Sequence, residues 1–433
     1  MASTLSDPKA LLTRAFECAL RASAPAVCVD RALADVDVRA PAVVIGAGKA
    51  AAAMAAAFSA AWEAPVRGLV VTRYGHGLAP GEDTGGIEVV EAAHPFPDSA
   101  SLAAGARLLE LARSVAPGER LVGLISGGGS ALASAPLDGL AFEEKRDAAK
   151  YLIRAGADIR EINCVRKHLS GLKGGRLASA ARPATVLTFA ISDVPGDDPA
   201  DIASGPTLPD RTTQRDALEI LHGYGYPRID ALRAVLDDPR FETPKPGDPS
   251  FAEDTVRVIA SNATALDAAQ AFLEGEGFRV VRLGDDLDGE AESLGREHAR
   301  LALELSGSST EPVAILSGGE TRVVLGNAEG RGGRNLEYLA GLALELNGAP
   351  GIFALAADTD GIDGDGDHAG GLVTPDMLAR GAALGFSLET LLARHDTYRF
   401  FDACDLLLRT GPTRTNVNDF RLIVCRPNHL GRA

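Results

Sequence analysis

The sequence of 433 residues is poor in several residue types, and each shortage excludes a class of protein. Aromatic residues make up 5% of the chain, with one tryptophan, so the core must be built mainly from Ala, Leu and Val. The five cysteines are widely spaced and form no C-x-x-C pair. That spacing excludes a disulfide framework and a cysteine-based zinc site, and it predicts a reducing, cytoplasmic location.

A long apolar run and an excess of positive charge are also missing. The most apolar segment, residues 41–62, contains Lys49 and is mostly Ala and Gly, which predicts strand, turn and helix and not a membrane span. No basic region followed by an apolar stretch marks a signal peptide at the N-terminus. The net charge of −16 argues against nucleic acid or an anionic membrane as partner. We therefore expect small-molecule substrates, and the sequence leaves a homodimer open.

The order of apolar runs predicts an α/β fold. Strand-like runs such as residues 42–45 and 185–191 alternate with helical stretches such as residues 50–62. A polar stretch rich in Pro and Gly at residues 239–249 is the best candidate linker, and the alternation restarts after it. We expect two domains, residues 1–245 and 246–433, each a largely parallel sheet flanked by helices, with the active site in the cleft between them.

Two glycine-rich segments follow apolar runs and resemble each other. Glycines at the end of a strand allow backbone N–H groups to approach an anion, and such strand ends are where α/β sheets bind ligands. Flexible turns would have the same composition. The predicted anion-binding residues are Ser126, Gly127, Gly128, Gly129 and Ser130 in the first segment, and Ser317, Gly318, Gly319 and Glu320 in the second.

A third glycine loop, Gly46-Ala47-Gly48-Lys49-Ala50-Ala51, follows a strand and opens a helix. It fits a variant of the dinucleotide fingerprint, but the next strand ends in Val71-Thr72-Arg73 without the acid that holds a ribose hydroxyl. The nicotinamide interpretation therefore loses support. Gly48 and Lys49 are instead candidates for binding an anion at the start of the helix.

A basic segment, residues 162–176, stands out in this acidic chain. Glycines placed among its charges favour a surface that a carboxylate or phosphate approaches, although a solvated helix face would look similar. His168 is also a candidate general base. The candidate binding residues are Arg166, Lys167, His168 and Lys173.

Acidic loops follow two other strands. Asp193 and Asp358, with Glu320, are candidate ligands for Mg²⁺, which needs only one or two protein carboxylates. The dense acidic loop at residues 358–368 does not match a calcium-binding hand, since His368 stands where Gly is needed, and such a turn needs no ligand at all. Arg334 opens a helix after glycines and offers a guanidinium fork for an anion.

Taken in order, the motifs resemble those of glycerate 2-kinases whose C-terminal half is a MOFRL domain. The resemblance covers nearly the whole chain and implies a Rossmann-like N-terminal domain, a MOFRL-type C-terminal domain, and phosphorylation of the C2 hydroxyl of D-glycerate with ATP and Mg²⁺. The family's key lysine and arginine match Lys49 and Arg334. The motifs include Gly-Ala-Gly-Lys-Ala, His94-Pro95-Phe96-Pro97-Asp98, Ser-Gly-Gly-Gly-Ser, Arg166-Lys167-His168, Ser192-Asp193-Val194-Pro195-Gly196-Asp197, Ser-Gly-Gly-Glu-Thr, Gly-Gly-Arg-Asn and Thr415-Asn416-Val417-Asn418-Asp419.

The resemblance implies phosphoryl transfer with Lys49 and Arg334 as the key residues, and we add Asp193 as a third catalytic candidate that would position Mg²⁺ or act as the base. The glycine loops, Asn335 and Asn416 would bind substrate or phosphate. Two alternatives remain at this point. One is an NAD(P)H-dependent hydroxypyruvate reductase, a name that members of the family have also carried. The other is a non-catalytic protein that binds small acids.

Overall fold

The computed structural model describes residues 7–324, 330–364 and 366–426, so Asp365 of the acidic loop lies outside the described residues. The chain forms two compact units. One is contiguous, Pro25–Ile259, and is called the contiguous unit below. The other consists of residues up to Ala24 and from Ala260 onward, and is called the split unit.

The contiguous unit alternates strands with helices, as the sequence predicts. Its strands are β1 (Ala42–Ala47), β2 (Val66–Arg73), β3 (Ile87–Ala92), β4 (Arg120–Ser126), β5 (Val186–Ile191) and β6 (Thr255–Ala260). Its helices are α2 (Pro25–Leu33), α3 (Ala51–Ala61), α4 (Ser99–Arg113), α5 (Gly129–Leu132), α6 (Phe142–Arg154), α7 (Ile159–His168), α8 (Arg176–Ala180), α9 (Gln214–Gly223) and α10 (Ile229–Leu236).

The first sheet has the strand order β3-β2-β1-β4-β5-β6, and the pairings from β3 through β5 are parallel. This is the order of a dinucleotide-binding sheet, which confirms the Rossmann-like prediction. Strands β1 and β4 are buried along nearly their whole length, as parallel strands covered on both faces must be. The order reverses between β1 and β4, so a crevice opens beyond their carboxyl ends.

The split unit contains the remaining elements. Its strands are β7 (Arg279–Leu287), β8 (Val313–Gly319), β9 (Ile352–Asp358), β10 (Gly370–Val373), β11 (Leu407–Leu408) and β12 (Asp419–Cys425). Its helices are α1 (Pro8–Ala22), α11 (Asn262–Gly275), α12 (Ala291–Ser308), α13 (Arg334–Leu346), α14 (Met377–Ala383), α15 (Leu388–Leu392) and α16 (Thr397–Ala403). No helix in the described part of the chain is both long and apolar enough to cross a membrane.

The second sheet corrects one part of the predicted fold. Its order is β11-β10-β9-β12-β8-β7, and only β7 and β8 pair in parallel. The prediction of a largely parallel sheet is therefore wrong here, and the sheet is mixed. Strand β12 inserts antiparallel between β8 and β9, a long-range pairing that no local pattern reveals, and β10 pairs antiparallel with both β9 and β11.

The units also differ from the predicted division at residues 245 and 246. Strand β6 extends the first sheet, and Thr243, within the predicted linker, is only 2% exposed. Residues 239–249 thus lie inside the contiguous unit and do not separate the two units. Helix α1 belongs to the split unit, because its apolar face packs on α11, β9 and β12.

Candidate active site

Two glycine loops meet at the crevice beyond β1 and β4. The amide of Lys49 donates to the Gly127 carbonyl oxygen at 2.9 Å, and the amide of Ala50 donates to Ser126 Oγ at 3.1 Å. A Cβ on Gly48 would lie 2.0 Å from Ser126 Oγ, so only glycine allows the loops to approach this closely. The structure therefore brings together the first and the third of the predicted glycine loops, residues 126–130 and 46–51.

Gly128, in the glycine loop at residues 126–130, lies close to both His94 and Lys49. Gly128 has a φ of +79°, and a Cβ there would lie 3.1 Å from the His94 ring and 3.4 Å from Lys49 Cγ. Within the described residues, the amides of Gly128, Gly129 and Ser130 donate no hydrogen bond to another protein group. These amides can therefore serve a bound anion.

The glycine loop is fixed on its other side by a chain of hydroxyl groups. Ser130 Oγ lies 2.5 Å from Ser204 Oγ, which donates to Asn163 Oδ1 at 3.1 Å. Ala203 and Ser204 both have positive φ values, 51° and 61°. Such backbone strain costs on the order of 1–3 kcal/mol per residue and clusters at functional sites.

Two residues of the predicted basic segment are held by structural partners. Lys167 is 5% exposed, and its Nζ lies 3.3 Å from Asp210 and 3.5 Å from Asp201. His168 is fully enclosed, with Nδ1 2.9 Å from the Cys164 carbonyl oxygen and Nε2 3.0 Å from Glu242 Oε1. Burial lowers the pKa of His168. Because both ring nitrogens are engaged, this geometry argues against proton transfer by His168.

The other two basic residues, Arg166 and Lys173, line a cavity in the contiguous unit. Sequence reasoning missed a third cation there, Lys145 on α6, whose Nζ donates to Ser134 Oγ at 3.0 Å. The sequence contained one signal that pointed to Lys145. Phe142, Lys145, Arg146 and Lys150 recur at the spacing of a single helix face.

In the split unit, Arg334 begins α13 and lies among carboxylates. Its Nε donates to Asp419 Oδ1 at 2.9 Å, its Nη2 donates to Asp358 Oδ2 at 2.6 Å, and its Nη1 lies 3.2 Å from Glu320 Oε1. Burial lowers the pKa of Arg334, but the charges of Asp419, Asp358, Glu320 and Asp363 outweigh burial and raise the pKa well above its ordinary value. The guanidinium therefore stays charged and already holds protein carboxylates.

A carboxylate from the acidic loop holds the start of the same helix. Asp363 accepts from the backbone amides of Asn335 and Leu336, each at 3.1 Å. The Asn335 side chain donates to Asp419 Oδ1 at 2.8 Å. Burial raises the pKa of Asp363 to about 6, with the charge of Arg334 acting against it. Sequence reasoning did not identify Asp363 as the acceptor for the first amides of α13, or Asp419 as a partner of Arg334.

The second Ser-Gly-Gly segment differs from the first. Ser317, Gly318 and Gly319 form the end of β8 and pair with β12. A Cβ on Gly318 would lie 1.7 Å from Asn262 Oδ1, so close packing already accounts for this glycine. Asn416 lies buried just before β12, with 3% exposure.

The candidate metal ligands lie in different surroundings. Asp193 follows β5 in the contiguous unit, whereas Asp358 and Glu320 in the split unit both bind Arg334. Among the described residues, no group of three or more His, Cys, Asp or Glu side chains is arranged to hold a metal ion. This donor set fits only a cation held mainly by a ligand's own oxygens, as Mg²⁺ on phosphates is.

Comparison with known proteins assigns the family. The profile described as a domain of unknown function, DUF4147, matches residues 11–237, and the profile described as the MOFRL family matches residues 313–419. The chain belongs to the DUF4147–MOFRL family. The family resemblance that the motifs indicate is thereby confirmed.

Two relatives of this DUF4147–MOFRL chain span nearly its whole length. A protein of Agrobacterium vitis, named provisionally as a hydroxypyruvate reductase, is 46% identical over 419 residues, 96% of this chain and 94% of that one. D-glycerate 2-kinase of Thermotoga maritima is 37% identical over 422 residues, 95% of this chain and 98% of that one.

A solved structure agrees with the fold of the DUF4147–MOFRL chain. The crystal structure of glycerate kinase from Thermotoga maritima matches with a TM-score of 0.86 and 35% identity. The match covers 96% of this chain and 99% of that one.

Proposed function

We propose that this protein is a glycerate 2-kinase, which transfers the γ-phosphoryl group of ATP to the C2 hydroxyl of D-glycerate. The observation that carries the proposal is the 37% identity with the Thermotoga D-glycerate 2-kinase over nearly the full length of both chains. The five free cysteines, four of them buried, fit a reducing compartment, and we assign the reaction to the cytoplasm.

The geometry of the contiguous unit supports phosphoryl transfer. This reaction needs alignment and charge neutralisation more than covalent help from the protein. The amides of Gly128, Gly129 and Ser130 would bind phosphate oxygens, with Lys49 adding a positive charge beside them. Asp193 would hold Mg²⁺ together with the phosphates, and Asp193 is the remaining candidate for accepting the hydroxyl proton.

Arg334, in the split unit, is the second cation of the proposal. Two of its carboxylate partners, Asp358 and Asp419, are at most 3% exposed at the side chain, whereas Glu320 is 50% exposed. Glu320 is therefore the partner that a phosphate oxygen can replace. In this proposal Arg334 stabilises charge on the transferred group, and Asp358 and Asp419 hold its guanidinium in position.

The fold supports the reductase alternative less than it supports the kinase. Strand β2 ends at Arg73, and its last residues offer no carboxylate for a ribose hydroxyl.

One assay separates the three functions. We expect the full-length protein, incubated with D-glycerate, ATP and Mg²⁺, to form 2-phospho-D-glycerate, identified by ³¹P and ¹³C NMR, with a reaction lacking ATP as control. Formation of the 3-phosphate would contradict the position of transfer. Consumption of NAD(P)H with hydroxypyruvate and no ATP would support the reductase instead, and binding of D-glycerate without any turnover would support the non-catalytic protein.

A further inference from the structure

A cavity lies wholly within the contiguous unit. One face of α6 forms a wall of it, the turn that contains Phe96 forms another, and Ser130 and Ser134 contribute hydroxyl groups. The charged residues that line it are all cations, and no described Asp or Glu does so. These cations are Lys145, Arg146, Lys150, Arg166 and Lys173.

Two of the cations are buried and only partly satisfied. Lys145 is 8% exposed, and its Nζ donates to Ser134 Oγ at 3.0 Å and to the Ala135 carbonyl oxygen at 3.2 Å. Lys173 is 3% exposed, and its Nζ donates to the carbonyl oxygens of Ser130 and Ala133, at 2.9 and 3.3 Å. An ammonium group has three donors, so each lysine retains one for a ligand.

Arg166 differs from the adjacent Lys167 in its polar partners. In the described part of the chain it forms no hydrogen bond or ion pair, whereas the adjacent Lys167 contacts two carboxylates. A half-buried guanidinium fork at a cavity wall, without a protein carboxylate, is suited to a ligand carboxylate or phosphate.

We propose that this cavity binds the carboxylate of the short hydroxy acid that the enzyme phosphorylates, with Arg166 as the fork and Lys145 and Lys173 as flanking donors. This inference rests on the proposed function. Ser130 ends the glycine loop assigned to phosphate, so an acid bound here would lie beside that loop.

Two of the lysines that line the cavity have a lowered pKa. Burial lowers the pKa of Lys145 to about 7, and the charge of Arg166 adds to that effect. Burial, with the charges of Lys145 and Arg166, lowers the pKa of Lys173 well below its ordinary value. Arg166 keeps its charge near neutral pH, because a guanidinium does not deprotonate in this range, and its fork can pair with one carboxylate. Ser130 and Ser134 supply neutral partners for hydroxyl groups.

Binding of an anion should therefore be coupled to proton uptake. The groups facing Lys145 are the cations Arg166 and Lys173 from other segments and Arg146 and Lys150 on its own helix. The nearby α6 carboxylates, Glu144 and Asp147, bind Arg228 and do not line the cavity. Below pH 7 Lys145 already holds its proton, whereas above pH 7 it must gain one when the anion binds. The affinity for the acid should fall as the pH rises through 7.

The test uses Lys145→Met in the full-length protein, with Arg154→Met, exposed on the same helix, as the matched control. Loss of a charge-assisted hydrogen bond should raise the KM for D-glycerate about 10- to 100-fold at about pH 6, with kcat and the KM for ATP nearly unchanged. The KM of the wild type should rise with pH, and Lys145→Met should lose that dependence. Calorimetry in buffers of different ionisation enthalpy should show proton uptake by the wild type and Arg154→Met only.

Folding of the variant is a separate readout. Lys145→Met removes a buried charge, and the Ala135 carbonyl oxygen still accepts from the Gly171 amide at 2.9 Å, so the thermal midpoint should not fall. An unchanged KM for D-glycerate in Lys145→Met would overturn the proposal, and so would an effect confined to the KM for ATP. D-glycerate binding with Lys145-dependent proton uptake, in a wild type that forms no phosphoglycerate, would support the cavity and refute the kinase.

Discussion

At the scale of single residues, the two predicted catalytic cations have different surroundings. Lys49 lies half-buried in a glycine loop, where its backbone amide fixes the loop to Gly127. Arg334 neutralises Asp358 and Asp419, whose side chains are at most 3% exposed. Removing one partner of a buried ion pair leaves an uncompensated charge, which is far more costly than losing the pair itself.

We therefore expect Lys49→Met and Arg334→Ala to lose turnover for different reasons. Lys49→Met should lower kcat about 10²- to 10³-fold, as removal of one preorganised charge does. Arg334→Ala should also lower the free energy of unfolding by about 3–5 kcal/mol. Urea denaturation and steady-state kinetics of both variants would check this expectation.

Lys9→Met, on α1 in the split unit, serves as the control for the loss of a lysine charge. Equal stability of Arg334→Ala and the wild type would contradict the structural role of Arg334, which is to neutralise Asp358 and Asp419. Normal kcat/KM in Lys49→Met would remove that residue from the mechanism.

At the scale of secondary-structure elements, glycines set the distance between α12 and α13. A Cβ on Gly341 of α13 would lie 2.4 Å from the Glu292 carbonyl oxygen of α12. A Cβ on Gly295 of α12 would lie 2.1 Å from the Tyr338 carbonyl oxygen of α13. These close approaches involve backbone atoms, so an added methyl group must push the helices apart.

We expect Gly341→Ala to lower the free energy of unfolding by about 1–3 kcal/mol, the usual cost of overpacking. Displacement of α13 should also move Arg334 at its first turn, and kcat should fall with stability. Gly307→Ala is the matched control, because Gly307 lies in α12 with nothing within 4 Å of its added Cβ. That control should be stabilised by about 0.5–1 kcal/mol through helix propensity. Equal effects of the two substitutions in thermal unfolding would contradict the close packing.

At the scale of the whole molecule, the two compact units do not follow the simple order of the chain. Helix α1 begins the described part of the chain but packs within the split unit, where Phe16 contacts Phe420 with ring centroids 5.4 Å apart. Helix α2 follows within a few residues and packs on α3 in the contiguous unit.

We expect Leu12→Ala, at a fully buried position of α1, to cost about 2–5 kcal/mol. The loss should appear in hydrogen exchange of β9 and β12, with which α1 packs, and not in β1 and β2. Val29→Ala in α2 is the control, and it should accelerate exchange in the contiguous unit instead. Faster exchange in β1 and β2 of Leu12→Ala would show that α1 belongs with the first sheet.

Much of the fold and part of the site were predictable from local patterns. Alternating apolar runs predict the Rossmann-like sheet, because strands buried on both faces leave a short-range signal. The glycine loops at residues 46–49 and 126–130 were predictable for a related reason, since a close backbone approach requires glycine at each contact. The ordered motifs, Lys49 and Arg334 among them, were sufficient to indicate the family.

The remaining features depend on pairings between residues far apart in the chain. The antiparallel insertion of β12, the enclosure of His168 by Glu242 and the capture of Arg334 by Asp419 join segments separated by tens of residues. The sequence alone determined where strands end and which residues carry charge. Only the tertiary structure decided which of those charges are neutralised by protein partners and which, such as Arg166, face a cavity, because the partner of a charge is chosen by packing and not by its neighbours in the chain.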